Sequence, residues 1–176
     1  CAVTVLGSHG HGAAVCALHG FEPEAALRLI DEERVSIVHG VPTMFSAMLA
    51  HERRAEFDTA TLRAGIAAGA PCPVPLMERI VGDLGCTGIA VAYGLTEASP
   101  GVTGCTSDDP LELRCETVGR PLPGVDVRVV DVSTRHDVPD GHEGELWARG
   151  PNVMEGYHDD PAATAEALTA DGWLRT

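Results

Sequence analysis

The sequence predicts an α/β fold: a parallel, doubly wound sheet portion of strands alternating with helices, followed by a small β-rich, barrel-like portion. Three observations predict it. Up to about residue 97, short apolar runs alternate with stretches of helical periodicity. Four such runs separated by three helices call for right-handed crossovers, which leave the strands parallel and covered on both faces. After about residue 105 the pattern changes to alternating strands joined by a turn. The boundary is expected near residue 115, giving portions 1–115 and 116–176.

Ala13-Ala14-Val15-Cys16-Ala17-Leu18 is predicted as the first buried strand. Phe21-Glu22-Pro23-Glu24 then marks a helix start, with proline at a first helical position and acids in the first turn, and the helix runs to about Arg34. Val35-Ser36-Ile37-Val38-His39 is the next strand. Val41, Met44, Phe45, Met48 and Leu49 fall at i, i+3, i+4, i+7 and i+8, one face of a second helix. Leu62 to Ala68 is the third apolar run. Leu76, Met77, Ile80, Val81 and Leu84 make a third helical stripe that stops at Gly85, a natural capping residue. Ile89-Ala90-Val91-Ala92 is the fourth strand. Beyond it, Val125, Val127 and Val129 alternate with Asp126, Arg128 and Val130, Pro139-Asp140-Gly141-His142 turns the chain, and Gly144 to Arg149 returns. Asp160-Pro161 caps a short alanine-rich helix to about Leu168, and Trp173-Leu174-Arg175-Thr176 is expected to add no closing element.

Composition narrows the function classes. Twelve Lys+Arg against 26 Asp+Glu give a formal charge of -14, which repels nucleic acid backbones and anionic lipid surfaces. No apolar run reaches the roughly 18 to 20 residues of a membrane-spanning helix, and no basic-then-apolar leader opens the chain, so a cytoplasmic protein is expected. The six cysteines, Cys1, Cys16, Cys72, Cys86, Cys105 and Cys115, are widely and unequally spaced without a Cys-x-x-Cys pair, and are expected to be reduced and mostly structural.

In a parallel sheet, ligands bind beyond the carboxyl ends of the strands. Three segments occupy those ends: Gly40-Val41-Pro42-Thr43, Ala68-Gly69-Ala70-Pro71 and Tyr93-Gly94-Leu95-Thr96-Glu97. The last combines an aromatic face, a flexible backbone point, a hydroxyl and a carboxylate. Those groups suit stacking a base, approaching a phosphate, bonding its oxygen and holding Mg²⁺. Taken alone, the same residues also read as an ordinary strand-to-loop turn, with Tyr93 half-buried and Glu97 solvated.

Tyr93 to Glu97 resembles the Tyr-Gly-x-Thr-Glu motif of the AMP-forming adenylating superfamily, which comprises acyl-CoA synthetases, nonribosomal-peptide adenylation domains and firefly-type luciferases. Four further segments are similar to that superfamily in the same order: Gly69-Ala70-Pro71, Val118 to Gly124, Gly144-Glu145-Leu146 through Gly156-Tyr157, and Asp171 to Thr176. Together they cover nearly the whole chain. Gly40-Val41-Pro42-Thr43-Met44 and Ser99-Pro100-Gly101-Val102-Thr103 look most like fatty-acyl-CoA synthetases. The resemblance implies that Gly69, Ala70 and Pro71 frame the adenine and acyl pocket in the 1–115 portion and that Tyr93, followed by Gly94, stacks on adenine. It further implies that Thr96 contacts the AMP phosphate and Glu97 helps ligate Mg²⁺. The implied substrates are a small carboxylic acid, ATP and CoA. The phosphate-cradling loop ending in lysine and the downstream ribose-binding aspartate have no counterpart here, so an internal fragment is expected, inactive alone and prone to self-association through its exposed surface. Two other classes stay open: an amino-acid or aryl-acid adenylating domain, and a noncatalytic nucleotide-binding module.

The remaining candidates read as structural. His9-Gly10-His11 has no acidic partner nearby and is assigned no metal. Asp108-Asp109, Asp137, Asp140 and Asp159-Asp160 lack the ordered spacing of a calcium loop and read as solvated turns. Cys72 has no histidine placed in register and reads as a small buried residue rather than a nucleophile. The Met44, Phe45, Met48, Leu49 stripe is core in part, and the turn before it is a candidate lining for an acyl tunnel.

Overall fold

Proline at the first or second helical position opens each of the three long helices, because its fixed φ is already helical and its missing N–H has no intrahelical partner there. The computed structural model describes residues 2–176, so Cys1 lies outside the description. The chain divides into two compact units, Cys1–Tyr93 with Gly104–Gly119, and Gly94–Thr103 with Arg120–Thr176.

The first unit starts with a π-helical turn over Ala2–Gly7 and the short α1 (Ser8–Gly10). It then holds α2 (Pro23–Glu32), β1 (Ile37–Gly40), α3 (Pro42–Ala50), β2 (Ala64–Ala68), α4 (Val74–Gly82), β3 (Gly88–Gly94) and α5 (Leu111–Glu116). Strands β1, β2 and β3 are parallel, in the register Ile37↔Ala64 and Ala64↔Gly88. At the start of α2 the Glu22 carboxylate accepts the Ala25 N–H at 3.2 Å, satisfying one of the helix's orphan donors. The sequence reading of α4 also holds at its end. Gly85 takes φ +75, which lets the Cys86 N–H return to the Ile80 carbonyl at 3.2 Å and close the helix.

The core of this unit joins Leu27 and Ile30 of α2, Phe45 and Met48 of α3, and Met77 and Ile80 of α4 to Ala67, Ile89 and Val91 of the sheet. Each fully buried large side chain contributes about 1.5–3 kcal/mol relative to exposure. Arg114 of α5 is buried for a different reason. Its guanidinium donates to the carbonyls of Ile89 at 2.7 Å and Thr87 at 3.3 Å, tying the helix to the entry of β3.

One predicted element is corrected. Ala13 to Leu18 is not a strand; it is irregular, and every residue of it is exposed. An apolar run becomes a strand only when a ladder partner satisfies its backbone and a second layer buries its side chains. Among the described residues the parallel ladder begins at β1, with Ile37 still 44% exposed.

In the second unit, β4 (Gly101–Gly104) lies beside β5 (Arg120–Pro121), and the Leu122 N–H donates to the Val102 carbonyl at 3.0 Å. Strands β6 (Asp126–Val130) and β7 (Glu145–Arg149) form the expected antiparallel pair, with Asp126 opposite Arg149 and their side chains 3.1 Å apart. The Pro139–His142 turn between them is closed by the His142 N–H to the Pro139 carbonyl at 3.1 Å. The end of the chain is the second correction. Leu174–Arg175 forms β8, antiparallel to β7 with Ala148 opposite Leu174. Two residues carry no periodicity, so only the free edge of β7 reveals this strand. Val130, Trp147 and Trp173 form the local core, and the Arg128 guanidinium lies 4.7 Å and 4.3 Å from the two indole rings. Finally α6 (Pro161–Ala167) starts at Asp160, whose carboxylate accepts the Ala163 N–H at 2.9 Å.

Candidate functional site

In the first unit the parallel register brings two of the predicted loops to one end of the sheet. Ala68 pairs with Ala92, so Gly69, just past β2, and Tyr93, near the end of β3, lie at the same end of neighbouring strands. Gly69 has φ +84, a conformation that favours glycine, and a Cβ there would meet Val41 Cγ1 at 3.4 Å. Ala70 and Pro71 are exposed and Tyr93 is half-buried. Cys72 beyond them is 1% exposed, and burial pushes its thiol up to about 11, as a packed residue rather than a nucleophile requires.

Beside β1 lies a mostly apolar cavity of about 310 Å³, lined by Phe21, Leu29, Ile30, Val38, Met44 and Phe45 with His39 and Gly40. Phe45, Met48 and Leu49 of the helical stripe are buried core, whereas Met44 faces this space. His39 Nδ1 is buried without a hydrogen-bond partner among the described residues, and desolvation lowers the imidazole's proton affinity.

In the second unit, Gly94, Thr96 and Glu97 form a tight turn. A Cβ on Gly94 would sit 1.8 Å from the Pro100 carbonyl oxygen, so only glycine fits at the end of β3. A 3-10 turn over Thr96–Ala98 follows, closed by the Ala98 N–H to the Leu95 carbonyl at 3.0 Å, with Ala98 fully buried and Thr96 exposed. Glu97 is held from two directions. Its carboxylate Oε1 accepts the Tyr157 hydroxyl at 2.6 Å, and its backbone carbonyl accepts the Met154 N–H at 2.8 Å. The Tyr157 hydrogen bond keeps the Glu97 carboxyl below the usual carboxylate range and raises the phenol in return. Asn152 Nδ2 donates to the carbonyls of Ala98 at 2.8 Å and Gly101 at 2.7 Å.

This donor set fits a hard divalent cation in one specific way. Among the described residues no three His, Cys, Asp or Glu side chains gather around one point. The chain offers one ionised carboxylate beside an exposed hydroxyl, which suits Mg²⁺ when phosphate oxygens and water complete the shell.

The other acidic clusters are turns and caps. Asp109 Oδ2 accepts the Thr106 N–H at 2.8 Å, Asp160 caps α6, and Asp137 lies 3.7 Å from Arg128. His9 and His11 are exposed, and His11 Nδ1 lies 2.8 Å from the Gly7 carbonyl. The five described cysteines are all free thiols. Sequence reasoning gave no role to Asn152, Met154 or Tyr157, although Gly156-Tyr157 belonged to the resembling segments. Their distance from Glu97 along the chain hid them.

The sequence pattern of the AMP-binding enzyme family matches residues 1–158. The chain belongs to that family. It is 42% identical over 176 residues to the putative acyl-CoA synthetase YngI of Bacillus subtilis (strain 168), an alignment covering all of this chain and 32% of the relative. It is 41% identical over 158 residues to a mitochondrial medium-chain acyl-CoA ligase, ACSF2, of Danio rerio, covering 89% of this chain and 26% of that protein. Among solved structures it is similar to the N-terminal domain of FACL13 from Mycobacterium tuberculosis, with 30% identity and a TM-score of 0.83 over 98% of this chain and 42% of the other. The chain thus spans between about a quarter and a third of the length of these curated relatives. No helix among the described residues is long and apolar enough to cross a membrane.

Proposed function

We propose that this chain is the central part of an AMP-forming acyl-CoA synthetase acting on a fatty or medium-chain acid. The observation that carries the reading is the Tyr93–Glu97 segment: an aromatic ring at the carboxyl end of β3, then a glycine, an exposed hydroxyl and a carboxylate held ionised by Tyr157. Acyl-CoA ligase relatives of about 40% identity support it. In this reading the 1–115 portion carries adenine and acyl recognition and the 116–176 portion continues the nucleotide side. The parent protein works in fatty acid metabolism in the cytoplasm, and the chain alone is inactive and self-associates.

The reaction has two steps. A carboxylate oxygen of the acid attacks the α-phosphorus of ATP, the bond to the β-phosphate breaks, and acyl-adenylate and pyrophosphate form. The CoA thiolate sulfur then attacks the acyl carbon, and AMP leaves with the electrons of the broken acyl–oxygen bond. Bound Mg²⁺ would neutralise the phosphate charge that builds up during transfer. The chain's own residues orient the reactants: Tyr93 stacks on adenine, Gly69, Ala70 and Pro71 bring backbone close to the nucleotide and acyl group, Thr96 donates to the AMP phosphate, and Glu97 holds the cation. Positioning of this kind supplies much of the rate enhancement in phosphate-centred reactions.

Calorimetric titration of the chain with AMP and with Mg·ATP tests this. AMP is expected to bind, and Tyr93→Ala to weaken it by about 1–3 kcal/mol, the range for base–aromatic stacking. Equal AMP affinity in the wild type and the variant would overturn the adenine role of Tyr93. Full-length protein assayed for pyrophosphate release against fatty, aryl and amino acids separates the acyl reading from the other adenylating classes.

A further inference from the structure

Segment 150–157, between β7 and α6, reaches the Thr96–Gly101 turn at three points. Asn152 Nδ2 donates to two backbone carbonyls, Ala98 O at 2.8 Å and Gly101 O at 2.7 Å, which also fixes which end of the amide faces the turn. The Met154 N–H donates to the Glu97 carbonyl at 2.8 Å. The Tyr157 hydroxyl donates to Glu97 Oε1 at 2.6 Å. The far end of the segment is anchored as well. The Tyr157 N–H donates to Thr164 Oγ1 at 2.9 Å, and Thr164 Oγ1 donates to the Asp160 carbonyl at 2.8 Å in the first turn of α6. Gly156 allows this approach, since a Cβ there would lie 2.8 Å from Thr164 Cγ2.

We propose that residues 152–157 form a strap that sets the shape of the Thr96–Gly101 turn, and that Tyr157 is a positioning residue that aims the Glu97 carboxylate. Asn152 works on the backbone, bridging the carbonyls of Ala98 and Gly101. Tyr157 works on the side chain, and Glu97, with three rotatable bonds of its own, gains one preferred direction from it. The proposal rests on the reading of Glu97 as the cation-holding carboxylate only for its purpose. The contacts themselves do not depend on that reading.

The test uses the isotope-labelled 176-residue chain at pH 7 without nucleotide or metal. In the wild type, side-chain scalar couplings are expected to report a single Glu97 rotamer, with the carboxyl carbon shifted away from the position of a freely solvated glutamate. Tyr157→Phe, which removes one oxygen, should average the rotamers and return the carboxyl resonance to the solvated position. Asn152→Ala should speed amide exchange at Ala98 and Ser99 at least tenfold, while the Val138 amide, bonded to the Val129 carbonyl, stays within twofold. An unchanged Glu97 rotamer and carboxyl resonance in Tyr157→Phe would overturn the proposal, and that variant decides alone if Asn152→Ala does not fold. Loss of the Mg²⁺ role of Glu97 in a separate binding experiment would overturn the proposed function and leave the strap standing.

Discussion

The Tyr157 hydroxyl donates to the Glu97 carboxylate at 2.6 Å although the two residues are 60 positions apart in sequence. The bond links the turn that ends β3 to the segment that precedes α6. It gives the solvent-accessible Glu97 carboxylate a protein donor, and the first prediction concerns that charge.

Glu97→Gln retains a carbonyl oxygen that accepts the Tyr157 hydroxyl, so the fold and the turn should persist. The anionic ligand is gone. Mg²⁺ should therefore no longer strengthen ATP binding, a loss of about tenfold or more, given roughly 1.5–3 kcal/mol for contacts to charged groups. Calorimetry of ATP binding with and without Mg²⁺ checks this, and an undiminished Mg²⁺ effect in the variant would remove Glu97 from the cation site.

Gly94→Ala places a methyl group 1.8 Å from the Pro100 carbonyl oxygen, backbone that has no side-chain freedom to yield. Destabilisation of at least about 1–3 kcal/mol is expected from overpacking alone. Gly141→Ala is the comparison: its φ is +82, yet nothing lies within 4 Å of its Cβ position, so only the left-handed backbone opposes the change, at about 1–2 kcal/mol. Urea unfolding of both variants should rank Gly94→Ala as the more harmful, and the reverse order would mean the Gly94 turn relaxes freely.

Asp131 makes a pH-dependent contribution. Its carboxylate accepts the Ser133 hydroxyl at 2.5 Å and the N–H groups of Ser133 and Thr134 at 2.9 Å and 2.7 Å, which holds the carboxyl at about 2. An unfolded aspartate titrates near 3.9. The folded chain therefore binds this proton more weakly, so the stabilisation is complete above pH of about 4 and disappears as pH falls through about 2. Comparing the stability of wild type and Asp131→Ala from pH 6 to pH 2 should show a gap that closes at the acid end. A gap that widens on acidification would contradict the turn geometry.

The cysteines should react in order of access. Cys16 is exposed, Cys105 and Cys115 are half-buried, and Cys72 and Cys86 are buried with thiols pushed up to about 11 by desolvation. Among the five described cysteines, native-state alkylation followed by peptide mapping should label Cys16 first and Cys72 and Cys86 last, because the thiolate is the reacting species. Early labelling of Cys72 would indicate that the segment after β2 opens.

The sequence carried the local rules. Helix α2 was legible from its proline and acidic first turn, and α3 and α4 because apolar residues at i, i+3 and i+4 become core residues such as Phe45 and Ile80. The β6–β7 hairpin was legible from alternation around Gly141, and the Tyr93–Glu97 motif and its companions from residue identity alone. What tertiary structure decided were the features that need a partner from far away. Ala13 to Leu18 has the composition of a strand but is given neither ladder nor cover, while Leu174–Arg175, with no pattern to read, becomes one because β7 offers an open edge. The same holds at the candidate site: Glu97 is visible in the sequence, but Tyr157, Met154 and Asn152 reach its turn only through folding. Periodicity and capping are short-range consequences of backbone geometry, whereas a hydrogen bond across 60 residues depends on where the whole chain between them has packed.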